Sequence, residues 1–398
     1  MIPIPKKSYF LIKILNTRYP LWLRFFLAVG ESLFVWGVSF SKTLSCGGFN
    51  RIYRNELKTE FRRLVWFLNR RTGIQWIEDS MFNFTEGLSV DELYEVDSFL
   101  NKRHDSLKIM TDKLFVKAAL LQKKKNFIQN ERDVLDFQHD LKEIFAKTHA
   151  PKVLNESCKK NDRIGDFPIS KARRALSDVA LFFKSHDIPW FVISGTFLGL
   201  IRDQGFLAHD YDIDIGIFSH QVDFDNLVSS IRGNENFEVV KVEYQKSICK
   251  TNENSFFYDQ KLTIIKLRHR QGVTIDIFIH YIEENTCWHG SSIHRWDNEV
   301  FSLKEYVLDG VSVRGPENAD LYLTENYGEW KIPVKDFSCS TGTPNLSLVR
   351  NFFFFSFFMR KLQASIDPRD YEKTVNVLMR QKFLSADGNI STEALFSN

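Results

Sequence analysis

Cysteine is scarce in this chain. Its five cysteines, Cys46, Cys158, Cys249, Cys287 and Cys339, are scattered through 398 residues with no C-x-x-C pair. That excludes a disulfide scaffold, a zinc ribbon and a thioredoxin-type redox site. Charge of one sign is lacking too: 53 Lys and Arg stand against 50 Asp and Glu. No basic surface dominates, so a dedicated nucleic-acid binder is not expected. Nor is there a long uncharged apolar run. Residues 19–40 have the length of one membrane crossing, but Arg24 and Glu31 interrupt them. Each mid-membrane charge costs roughly 2.5–3.5 kcal/mol. Two readings of residues 1–45 stay open, a membrane anchor and an amphipathic helix on a core or a membrane surface. Internal repeats and low-complexity linkers are absent as well.

What the chain does have is a globular composition, 43% hydrophobic and 26% charged, with 37 Phe. Its charge is uneven. Residues 1–160 carry 27 basic and 18 acidic side chains, whereas residues 161–398 carry 26 and 32. Residues 46–164, poor in Gly and Pro, read as a mostly helical N-terminal region. From 165 the pattern changes to helices alternating with strands, the signature of a mixed α/β domain reaching to about 345. An amphipathic helix over 169–186 leads into a short strand PWFVIS, a Gly-bearing turn, a short helix and the strand DIDIGIF. A helix near 221–232 follows, then β-rich segments at 237–244, 261–268 and 272–281. Residues 346–398 form a helical tail, in which NFFFFSFFMRKL makes a buried helix or a docking surface. Sequons at Asn83, Asn155, Asn345 and Asn389 permit a lumenal location without arguing for it.

The chemistry lies between Ser194 and Asp276. Asp210, Asp212 and Asp214 are spaced by two, so in an extended strand all three share a face, while Ile213, Ile215 and Ile217 turn to the core. A second strand, TIDIFIH, places Asp276 among Ile275, Ile277 and Ile279 by the same logic. If the two strands are neighbours, the four carboxylates converge on one or two Mg²⁺ or Mn²⁺ ions, which prefer hard oxygen ligands. Upstream, ISGTFLGLIRD puts Ser194 and Gly195 where a strand turns into a helix. There backbone N–H groups can face an anion, with Arg202 about two turns on for a charge-assisted phosphate contact. Lys261, Lys266 and Arg268 are further candidates for local neutralisation. Tyr327 and Trp330 in YGEWKIPVK either stack on a base or sugar or pack against a sheet edge. Cys287, His289 and His294 lack a fourth ligand at zinc spacing.

At these residues the sequence resembles the LicD/fukutin family of the nucleotidyltransferase fold. The motifs are SGTFLGLIRD (194–203), the aspartate strand (210–214), TIDIFIH (274–280) and YGEWKIPVK (327–335), with IFSH and CWHG nearest the fukutin branch. The resemblance implies a nucleotidyltransferase-fold catalytic domain at 165–345. It further implies an enzyme that moves a phospho-alcohol, ribitol 5-phosphate-like, from a CDP-activated donor such as CDP-ribitol to a glycan hydroxyl in protein glycosylation. Carried over, Asp212 and Asp214 are paired metal ligands, and Asp276 is a third ligand or the base. Asp210 matches an extra aspartate of LicD members. Ser194, Gly195 and Arg202 hold the donor diphosphate. The branch implies a type II Golgi membrane protein with a lumenal catalytic domain and a related transferase as partner. Two other readings stay open: a catalytically silent scaffold or chaperone for glycosyltransferases, and a cytosolic nucleotidyltransferase.

Overall fold

A computed structural model describes residues 90–101, 107–123, 131–150, 169–207, 210, 212–250, 256–334, 337, 339–347, 349, 351–365 and 368–391. Residues 19–40 and the sequons at Asn83 and Asn155 lie outside this set. Among the described residues, no helix is long and apolar enough to cross a membrane. In chain order the elements are α1 (Val90–Asn101), α2 (Leu107–Lys123), α3 (Glu131–Ala146), α4 (Ile169–Ser185), β1 (Phe191–Val192), α5 (Ser194–Leu198), a π-helical turn (Gly199–Asp203), β2 (Asp212–Phe218), α6 (Phe224–Gly233), β3 (Phe237–Lys250), β4 (Phe256–His269), β5 (Thr274–Glu283), β6 (Thr286–Gly290), β7 (Arg295–Glu299), β8 (Leu303–Leu308), β9 (Val311–Pro316), α7 (Ala319–Tyr327), β10 (Leu346–Ser347), α8 (Phe352–Ala364) and α9 (Pro368–Arg380). The class is α/β with a mixed sheet.

The chain divides into two compact units. The first gathers α1, α2, α3 and α8. Leu93, Val96, Leu100, Leu114, Phe137, Leu141 and Ile144 recur at helical spacing and are fully buried. The phenylalanine run of α8 is core rather than surface, with Phe352, Phe354, Phe355 and Phe358 at most 1% exposed. Phe352 meets Phe137 edge-on with ring centroids 4.8 Å apart. Two pairings tie buried polar groups across this bundle: Thr111 Oγ1 donates to Gln363 Oε1 at 2.8 Å, and Arg360 is bonded to the fully buried Asp112.

The second unit is built on a sheet of order β1-β2-β5-β6-β7-β10, with β4 also pairing β5 and β3 pairing β4. β2 and β5 are parallel neighbours, in register Ile213–Ile275, Asp214–Asp276 and Ile215–Ile277. Their period of two is what the sequence dictates: Ile213, Ile215, Ile217, Ile275, Ile277 and Ile279 are all 0% exposed. Each such burial contributes about 1.5–3 kcal/mol, so this pairing is among the most firmly anchored parts of the unit. β1 runs antiparallel to β2, setting Phe191 against Gly216. A Cβ at Gly216 would lie 2.5 Å from the Phe191 ring and 2.7 Å from His280, so only glycine fits. α4 buries Ala172, Ala175, Leu176, Val179, Phe182 and Phe183 along one face. β8 and β9 form a separate hairpin, where Tyr306 meets Phe197 edge-on.

Candidate active site

The three aspartates of the two parallel strands converge. Asp212, Asp214 and Asp276 each offer a carboxylate oxygen, and these atoms lie within 4.8 Å of one another. Register explains it: Asp214 and Asp276 are directly opposite, and Asp212 is two residues along on the same face. Among the described residues this is the group with metal-ligand geometry. At an effective dielectric near 20, two charges this close repel by about 3–4 kcal/mol. A proton or a cation must therefore share the cluster. Burial, then Asp210 and Asp276, push the Asp212 carboxyl up to about 8. Burial, then Asp212 and Asp276, hold Asp214 well above the carboxylate range.

Asp276 is 4% exposed. Its Oδ2 accepts from Lys266 Nζ, the residue directly across the antiparallel β4–β5 pair. Its Oδ1 is buried with no hydrogen-bond partner. A buried carboxylate oxygen without a donor is costly unless something meets it. Burial raises Asp276 more than Lys266 lowers it. At Lys266, burial works downward, but Asp276, Glu243 and Asp212 outweigh it and the pKa is raised. Three converging carboxylates and an orphaned Oδ1 fit a hard divalent cation, Mg²⁺ or Mn²⁺, by donor chemistry and by the unmet oxygen.

The turn after β1 is stitched to this cluster. Ile193 N–H donates to the Asp214 carbonyl at 3.2 Å, and Asp214 N–H donates to Thr196 Oγ1 at 2.8 Å. Ser194, between them, has φ 48°. For a serine this left-handed conformation is strained, and such strain concentrates at functional sites. Gly195 has a concrete reason to be glycine: a Cβ there would stand 2.7 Å from Asp210 Oδ2. The space in front of Gly195 therefore belongs to the Asp210 carboxylate. Asp210 itself precedes the strand, which begins at Asp212. It lies outside the converging trio and touches it through a side-chain hydrogen bond to Asp212.

Arg202 sits in the π-helical turn, with its guanidinium closed on Asp203 (Nε–Oδ1 2.8 Å, Nη2–Oδ2 3.2 Å) and Nη1 donating to the Trp330 carbonyl at 3.4 Å. Arg202 thus ties the segment after α7 to the turn after β1. Tyr327 ends α7 and is half-buried; its phenol is held well above its usual pKa by burial, then Asp214, Tyr322 and Asp210, which places it beside the cluster. Lys331 pairs with the exposed Asp320 at 2.8 Å and lies over the Trp330 ring. Cys287, His289 and His294 do not form a metal site among the described residues. His294 bonds Ser340 through Nε2 and Ser291 through Nδ1, at 2.9 and 3.1 Å. His289 stacks on His280 at 4.7 Å, kept neutral by burial that lowers its pKa to about 3.

Two contributors were hidden in the sequence. Thr196 looks like one more residue of a short helix, though its place in the SGT turn two residues from a strand end is the available signal. Glu243 is a lone acid in VVKVEY; it is buried, pairs with Lys241 at 3.3 Å and acts on both Lys266 and Asp276.

Residues 187–318 match the family described as LicD/FKTN/FKRP, nucleotidyltransferase domain. The stretch takes in the aspartate strands and the turn at Ser194–Arg202 and stops before Tyr327. The ribitol-5-phosphate transferase FKTN of Mus musculus is 24% identical over 183 residues, 44% of this chain and 36% of that protein. Its Homo sapiens counterpart is 22% identical over 182 residues, again 44% and 36%. An uncharacterized protein of Rickettsia prowazekii is 24% identical over 240 residues, 56% of this chain and 81% of that protein. The chain thus spans about a third of the length of the FKTN proteins it matches. The matched stretch contains all three converging aspartates, and over it the chain is similar to the LicD/fukutin nucleotidyltransferase domain.

Proposed function

We propose that the protein is a metal-dependent phosphotransferase, moving a phospho-alcohol from a CDP-activated donor, CDP-ribitol foremost, to a glycan hydroxyl. The observation that carries this reading is the convergence of Asp212, Asp214 and Asp276, with Asp276 Oδ1 buried and unpartnered. It is joined by the likeness to proteins named ribitol-5-phosphate transferase. Asp212, Asp214 and Asp276 hold the ion. A bound divalent cation supplies charge neutralisation at the phosphoryl oxygens and polarises the reacting group.

The reaction balances simply. The acceptor oxygen forms a bond to the phosphorus bearing the alcohol, and the bond from that phosphorus to the bridging oxygen breaks. CMP leaves with that oxygen, and the hydroxyl proton passes to a carboxylate. Such a transfer depends on positioning and charge neutralisation rather than covalent catalysis. In this reading Ser194 and Gly195 frame the donor side of the cluster, with Asp210 fixed in front of Gly195. Arg202 secures the segment carrying Tyr327 and Trp330, whose rings offer faces to a base or sugar. The domain works in the Golgi lumen on a glycoprotein, attached to the membrane and accompanied by a related transferase.

The test is CMP release from CDP-ribitol, CDP-glycerol or CDP-choline with Mn²⁺ or Mg²⁺, acceptor glycan present, against Asp212→Asn and Asp214→Asn. Metal-dependent release that both substitutions abolish establishes the transferase and names its donor. No release from a folded, metal-binding protein moves the scaffold reading ahead.

A further inference from the structure

We propose that Lys266 is a substrate-anion ligand of this centre: its ammonium, resting on Asp276 in the free protein, turns to the phosphate oxygens of a bound diphosphate donor. The inference rests on the phosphotransferase reading and supplies what that reading lacks, a protein cation to meet the donor's charge. The residue the sequence points to for this task, Arg202, has its guanidinium fork closed on Asp203 and the Trp330 carbonyl, with its side chain only 13% exposed. Two other lysines of the motifs are engaged elsewhere, Lys261 with Glu283 at 2.6 Å towards the far end of β5 and Lys331 with Asp320 at 2.8 Å. Among the described residues, Lys266 is the cation bonded to the aspartate trio.

Its position suits a change of partner. Asp214, Asp276 and Lys266 form one row across three adjacent strands, fixed by the β2–β5 and β4–β5 registers. The Lys266 side chain is 31% exposed while that of Asp276 is 6% exposed, so Lys266 is the more solvent-accessible member of the pair. Lysine carries a point charge with three rotatable donors on a four-carbon stem, which allows it to exchange one oxygen anion for another nearby. An ion pair kept for stability alone is a weak choice at such a buried position, because well-packed apolar residues serve as well. Once a cation neutralises the trio, the hold of Asp276 on Lys266 weakens and a phosphate becomes the stronger partner.

The experiment uses the full chain with Lys266→Met, Lys266→Gln and Lys266→Arg, each checked for an intact thermal transition. Calorimetric titration measures Mn²⁺ binding alone and then CDP binding at saturating Mn²⁺. The expected result is that Met and Gln weaken CDP binding roughly tenfold or more, the loss of a charged hydrogen bond. Mn²⁺ binding stays unchanged or tightens, and Arg restores part of the CDP affinity. A residue that merely holds Asp276 in place gives the opposite pattern, with Mn²⁺ and CDP weakened by the same factor, and that result overturns the proposal. Equal CDP binding by wild type and both neutral variants overturns it as well, leaving the phosphotransferase reading intact. Wild-type protein that takes up Mn²⁺ but no CDP removes that reading, and the role of Lys266 with it.

Discussion

Asp214 and Asp276 stand directly opposite each other on parallel neighbouring strands, so two carboxylates face one another with six buried isoleucines behind them. The apolar side of the pair is fixed and cannot relax, so the repulsion on the polar side is relieved only by a proton or a cation. Asp214→Asn is therefore expected to raise the melting temperature in EDTA by about 2–4 °C, equivalent to roughly 1 kcal/mol in a domain of this size. The same substitution should abolish the stabilisation that Mn²⁺ gives the wild type. Differential scanning calorimetry with and without Mn²⁺ reads both effects, and a melting temperature that falls in EDTA would contradict the repulsion account.

The pH dependence has a definite sign. The Asp212 carboxyl is pushed up to about 8 in the folded protein from an ordinary value of 3.8. Between those two values the folded state holds a proton that the unfolded chain has shed. The stability this group contributes is full below 3.8 and is lost as pH rises through about 8. Metal-free protein should become less stable from about pH 5 to about pH 8, while Mn²⁺ affinity climbs over the same window because binding no longer has to displace protons. Melting curves and Mn²⁺ titrations at matched pH test the two opposed trends.

Thr196→Val removes the hydroxyl that accepts the Asp214 N–H at 2.8 Å. A buried N–H left without an acceptor costs about 1–3 kcal/mol, so the unfolding free energy from urea titration should fall by that much. Thr196→Ser, which keeps the acceptor, should lose less. If Val and Ser behave alike, the bond contributes nothing.

Of the two sequons among the described residues, one is accessible. Asn389 is exposed in the turn Ser385–Asn389, whereas Asn345 donates to Asn326 Oδ1 at 3.1 Å and is partly buried. In chain expressed through the secretory pathway, deglycosylation should shift the mass at Asn389 and leave Asn345 untouched. Peptide mapping of Asn389→Gln against wild type checks this.

The strands that carry the chemistry were legible because DIDIGIF and TIDIFIH alternate strictly, and alternation between carboxylate and isoleucine has one reading in an extended chain. Their adjacency was only a condition in the sequence, since parallel pairing across an intervening helix and hairpin leaves no local mark. β6 to β9 escaped notice for a different reason. CWHG, RWDNE, LKEYVL and VSVRGP mix charge, glycine and aromatics, and owe their place to cross-strand partners such as Arg295 over Trp288. Asp210 obeys the same spacing as its neighbours yet falls outside β2, because its carboxylate packs against Gly195, a contact no periodicity encodes. The pairing of Arg202 with its own neighbour Asp203 is a side-chain contact that spacing does not encode.

The connection from β2 to β5 has a kinetic corollary. Asp214 and Asp276 meet only when the parallel pair closes across the intervening α6, β3 and β4. Closures of this length are slow steps in folding. Mn²⁺ added during refolding should therefore find no ligand in early species and accelerate nothing until that closure is complete. The ion would then slow unfolding while leaving the folding rate unaltered, turning cation uptake into a clock for the last stage of assembly.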